Sequence, residues 1–137
     1  MTPSQAVAKL LNEATAITTI VSNRIYFGNR PDTTITPCIN FYELSGAKNS
    51  YGMQRIGYSI NCRAVTAETV LQLAREVDYL FNGTSGTGVY GYASNVSVFG
   101  ISRAFTNQRQ GLIPEPDSNI YNAPVDVYVI FPNSTIS

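Results

Sequence analysis

Side chains able to do chemistry are scarce in this chain. It contains no histidine, which removes His-based triads, imidazole metal ligands and the usual general base near neutral pH. Its two cysteines, Cys38 and Cys62, cannot make the common zinc sites without further Cys or His ligands. Both read as buried thiols in a reducing compartment, although strands carrying them could face each other if the hairpin register allowed it. The nine Asp and Glu residues are spread along the chain, and the one local cluster is Glu115-Pro116-Asp117. Its oxygens suit a hard cation, but its setting predicts a solvated loop. The glycine-dense run 83–91, GTSGTGVYG, lacks the Gly-Lys-Ser/Thr ending of a phosphate loop and follows a helical pattern rather than a strand, so it reads as a linker. Asn82-Gly83-Thr84 and Asn95-Val96-Ser97 match the glycosylation acceptor pattern by chance, since MTPSQAVAKLLNEA has neither the basic start nor the long apolar core of a signal peptide. The sequence therefore predicts no catalytic residue, no metal site, no cofactor and no enzymatic activity.

The elements that would position any surface are clearest in 55–83, RIGYSINCRAV followed by TAETVLQLAREVDYLFNG. Ile56, Tyr58, Ile60, Cys62 and Ala64 alternate with Arg55, Ser59, Asn61 and Arg63, the period-2 pattern of a half-buried strand. At Thr66 the period changes. Val70, Leu73, Ala74, Val77, Leu80 and Phe81 recur at three- and four-residue spacing, which makes an amphipathic helix, and Asn82-Gly83 stops it.

Ahead of this unit, Thr2-Pro3 opens a helix with a capping hydroxyl and an N1 proline, and Ala6, Val7, Leu10, Leu11 and Ala14 form its stripe. The β-branched run 15–21 weakens it, with a short helical turn expected around Ile17, Ile20 and Val21. Ile25-Tyr26-Phe27 is an apolar patch before a loop. Cys38–Leu44 is a strand led by Pro37, and 45–54 is a long hairpin connection. After the helix, Val89–Tyr92 is a short strand or loop, and 96–105 is a strand with a bulge at Gly100. The stretch 106–119 is a second long polar connection, from which Pro114 and Pro116 exclude regular structure. The last strand, 120–131, sets Val125, Val127, Val129 and Phe131 on one face and Asp126 and Tyr128 on a solvated or neighbour-contacting face. Antiparallel pairing across hairpin-length links and one apolar stripe per helix predict an α+β fold. It is a two-layer sandwich, with two main helices packed on one face of a mainly antiparallel sheet of about four strands. Leu10, Ile60, Leu73, Val77, Leu80 and Val127 are its expected core.

A chain of 137 residues with 44% hydrophobic content is the size of a single domain, 1–137, and hides roughly two thirds of its unfolded surface on folding. No apolar run is long enough for a membrane span, so no membrane partner is expected. Net charge is zero and only 13% of residues are charged, which favours burial of surface in an assembly and gives counterion release on nucleic acid little to work with. Nine tyrosines suit interfaces, since Tyr buries area at low entropic cost, though Tyr also fills sheets.

The order and spacing of these features resemble the tail completion or tail terminator proteins of long-tailed bacteriophages. The likeness rests on Val21 and Arg24-Ile25-Tyr26, then Pro37, Ile39 and Tyr42, then Arg55, Tyr58, Ile60, Cys62, Ala64 and Ala67 with the helix to Gly83. It runs from about Ile17 to Phe131. The linker at 83–88 and the loop at 106–119 depart from the family pattern. The resemblance implies a structural virion protein, a homo-hexameric ring at the tail–neck junction, assembled in the host cytoplasm. Such a ring ends tail-tube polymerisation, contacts the tail tube protein on one side and the head-completion or neck connector protein on the other. Genomic DNA passes through its lumen without sequence-specific binding. Loops 45–54 and 106–119 are then expected to carry contacts, with Tyr51, Met53, Arg55, Gln108, Arg109 and Leu112 as candidate interface residues. Other readings are a different neck, head-completion or tail-tube-like subunit, or a small ligand-binding or enzymatic domain.

Overall fold

A computed structural model describes residues 2–28, 36–48, 52–82, 103–115 and 119–132. Helix α1 (Pro3–Glu13) begins in a capping box: the Thr2 hydroxyl accepts from the Gln5 amide while the Gln5 side chain accepts from the Thr2 amide. Two otherwise orphaned helix N–H groups are satisfied this way. Extended backbone at Ala14 ends α1, and α2 (Thr15–Val21) follows directly. Thr18 and Thr19 turn their hydroxyls onto the Thr15 carbonyl at 3.3 and 2.8 Å, the local competition expected of β-branched hydroxyl residues. Helix α3 (Ala67–Asn82) starts where the Thr66 hydroxyl accepts from the Thr69 amide at 3.3 Å.

The strands are β1 (Ile25–Phe27), β2 (Cys38–Lys48), β3 (Met53–Ala64), β4 (Arg103–Arg109), β5 (Ile113–Pro114) and β6 (Tyr121–Pro132). They form one sheet in the order β1-β2-β3-β6-β4, with β5 added to β6. All pairings are antiparallel except β1 with β2. The three helices lie on one face, α1 over β1 and α3 over β3, β6 and β4. Between the layers sit Leu10, Leu11, Ile17, Ile60, Leu73, Val77, Leu80, Phe81, Val125, Val127 and Phe131, each at most 2% exposed. Burial of such side chains stabilises by about 1.5–3 kcal/mol each. Phe27, Phe41 and Tyr58 cross β1-β2-β3 edge to face, at centroid distances of 5.3 and 6.2 Å. This is the expected α+β sandwich, with six strands in place of about four. No helix among the described residues is long and apolar enough to cross a membrane.

Several local expectations change. Ile25–Phe27 is a parallel edge strand; three residues are too few to show a period. The expected connection at 45–54 is largely strand. A register shift between Glu43 and Ser45 breaks the alternation, and β2 then continues to Lys48 opposite Gln54. Likewise β4 runs to Arg109 across a shift between Thr106 and Gln108, and Ile113–Pro114 pairs with β6 despite its proline. A proline is tolerated there because β5 is an edge. The expected bulge at Gly100, the strand residues 96–102, Val89–Tyr92, the linker 83–91 and Tyr51 lie outside the described residues.

Candidate interaction surfaces

No helix among the described residues covers the second face of the sheet. Side chains there are polar, as the strand alternation predicts, but they are not simply solvated. Ser59, Asn61 and Asp126 are only 3, 6 and 6% exposed. Asn122 donates to the Asn61 side-chain oxygen at 3.2 Å. Gln108 and Gln110 both donate to Asp126 Oδ2, at 2.8 and 2.9 Å. Arg63 donates to Asn40 Oδ1 at 3.3 Å and forms an ion pair with Glu115. The segment 108–115 is thereby fastened across the outer face at both ends, with Gln110 N–H also donating to the Pro124 carbonyl at 2.9 Å. The expectation that Asp126 points to solvent or a neighbour is corrected: the residue is buried, and its Oδ2 accepts two hydrogen bonds within the chain. So is the expectation of a solvated Glu115, which is half-buried and reaches Arg63 on β3. The side-chain pairs join residues 16 to 61 positions apart, so no local pattern announces them.

The candidate interface residues do not form one patch. Arg55 lies on the outer face, its guanidinium 4.6 Å from the Tyr128 ring centre, and Phe105 packs on the other side of that tyrosine at 5.5 Å. Gln108 shares that face. Arg109, one residue further, points to the helix side and approaches Asp78 of α3 at 3.7 Å. Leu112 is exposed in the link between β4 and β5. Met53 opens β3 opposite Pro132. The candidate core residues Leu10, Ile60, Leu73, Val77, Leu80 and Val127 all lie in one cluster.

Sequence reasoning missed the apolar side chains left outside. Phe27, Tyr42 and Leu44 are exposed at the β1–β2 edge, and Leu71 and Tyr79 on α3. An open hollow of about 430 Å³ is lined by Glu68, Leu71, Gln72, Arg75 and Arg109. A second of about 290 Å³ shares Leu71 and Arg109 and has Ala74, Gly111, Ala123 and Pro124 as its floor. Leu71 and Tyr79 sit off the apolar stripe of α3, and that offset is the signal available in the sequence.

Two titratable groups are displaced. Burial pushes the Tyr58 phenol up from 10.0 to about 12, against a hydrogen bond with Ser4 that acts the other way. Burial also pushes the Cys62 thiol well above its ordinary range. Cys38 pairs with Arg63 and Ile39 with Cys62, so alternation puts the two cysteines on opposite faces of the sheet. Among the described residues no group of three or more Cys, Asp or Glu gathers as a metal site.

Neither a family model nor a curated protein sequence matches this chain. Among solved structures, the fold is similar to a chain from the virion of a native gene transfer agent particle. The two are 12% identical, and the match covers 96% of this chain and 95% of that one at a TM-score of 0.66.

Proposed function

We propose that this chain is a non-enzymatic structural subunit of a phage-like virion, a tail terminator or tail completion protein. The observation that carries this reading is the end-to-end fold likeness to a chain of a virion particle. The ordered resemblance of 17–131 to the tail terminator family points the same way, as does the absence of histidine. In this reading the subunits form a hexameric ring at the head-proximal end of the tail tube. One side of the ring stops tube polymerisation, the other joins the head-completion or neck connector protein, and genomic DNA passes through. Zero net charge suits that passage, since few phosphates are neutralised along it. Native mass measurement of the purified chain, alone and with tail tubes, tests this. The expected result is a species near six times 14.9 kDa that binds tube ends. A strict monomer indifferent to tubes refutes it. Immunolabelling of virions distinguishes the tail–neck junction from another neck, head-completion or tube position.

A further inference from the structure

We infer that one copy of this chain docks on the next through two dissimilar patches: Phe27, Glu43 and Leu44 at the β1–β2 edge of one, and Leu71, Arg75 and Tyr79 on α3 of the other. This deepens the ring proposed above and rests on it.

Each patch has the same composition with the opposite charge. At the β1–β2 edge, Phe27 is 57% and Leu44 52% exposed, and Glu43 stands beside Leu44 on the strand. On α3, Leu71 and Tyr79 are 44% and 43% exposed. Arg75 lies midway between them, so the three share one helical face at i, i+4 and i+8. Neither Glu43 nor Arg75 forms an ion pair among the described residues. Glu68 and Arg109 line the same hollow, and Arg109 is drawn to Asp78 at 3.7 Å, while Glu68 forms no ion pair among the described residues.

The two patches cannot satisfy one another within a chain. One belongs to the β1–β2 edge, while Leu71 and Arg75 of α3 line a hollow with Arg109 of β4. The sheet order separates β2 from β4 by three strand spacings, roughly 14 Å. Large exposed apolar side chains mark an interaction surface, and aromatic residues and arginine are the types enriched in one. Opposite charge makes the second patch of another copy the fitting occupant of the first. Because the patches differ, the contact is head-to-tail, and its repetition closes a ring or extends a filament. The bulge in β2 contributes directly: the register shift between Glu43 and Ser45 lifts Leu44 out of the alternation.

The test uses the full chain and native mass measurement over a concentration series. Glu43→Arg and Arg75→Glu are each expected to raise the concentration at half-assembly at least tenfold, and the double charge swap to restore assembly most of the way. A chain carrying both Leu44→Cys and Leu71→Cys is expected to give a ladder of covalent oligomers on oxidation. Neither single cysteine variant should give the ladder. Wild-type rings that both charge variants form equally well, without a ladder, overturn this contact and leave the ring reading standing. A wild-type chain that stays monomeric overturns both. Circular dichroism of each variant separates lost assembly from lost folding, and the oxidation ladder decides the contact if a charge variant fails to fold.

Discussion

Asp126 offers the sharpest test of how the outer face is held. The residue is 6% exposed, and its carboxylate Oδ2 accepts from Gln108 at 2.8 Å and Gln110 at 2.9 Å. Oδ1 has no hydrogen-bond partner among the described residues. Hydrogen bonds to a charged acceptor contribute about 1.5–3 kcal/mol each. Two effects reduce that sum here. Both glutamines are exposed, so water can take up their donors once the carboxylate is gone. Removing Asp126 also recovers the desolvation cost of a half-satisfied buried charge. Asp126→Ala should therefore destabilise by about 1.5 kcal/mol rather than 4 or more. With a urea slope of about 2 kcal/mol per M, the unfolding midpoint falls by roughly 0.7 M. A double-mutant cycle with Gln108→Ala should return a coupling of about 1 kcal/mol. If Asp126→Ala is more stable than the wild type, the reasoning fails. Desolvation then outweighs the two bonds, and the carboxylate is retained for something outside the fold.

Four other outcomes follow from the same structure. Leu73→Ala or Val77→Ala, at positions with 0% exposure, should each destabilise by about 2–5 kcal/mol in urea melts; a neutral result would remove the assigned core. The Tyr58 phenol titrates higher folded than unfolded, about 12 against 10.0. Its contribution is complete below pH 10 and is lost as pH rises through 12, by about 2 kcal/mol. Tyr58→Phe should flatten the fall in melting temperature over that window, and an unchanged alkaline fall would show another group to be responsible. Ser22 holds φ at +57°, so Ser22→Gly should raise stability by roughly 0.5–1 kcal/mol, and a loss would mean the backbone there is not strained. Cys62, fully buried, should react with a thiol reagent only at the rate of unfolding, measured by labelling across a urea series; fast labelling in native buffer contradicts its placement.

Much of the fold was legible because it is written in local periods. The strand alternation at 56–64 and the helical spacing at 70–81 state which side chains face inward. The Thr2-Pro3 start and the β-branched run at 15–21 mark where α1 begins and where the helix breaks. Those signals need only near neighbours. The same signals failed at Leu44 and at Thr106–Gln108, because a bulge shifts the alternation by one residue. They failed at Ile25–Phe27 and Ile113–Pro114, because two or three residues carry no period.

The candidate surfaces were legible only as polar or apolar, not as used or free. Sequence alone determined that one strand face is polar, that the chain is neutral and without histidine, and that α3 buries one stripe. Tertiary structure decided that Gln108 and Gln110 are consumed by Asp126, and Arg63 by Glu115, while Glu43 on β2 and Arg75 on α3 form no ion pair among the described residues. The reason is physical. A period records which way a side chain points, whereas the partner it meets depends on register between strands up to 61 residues apart, which no local pattern encodes.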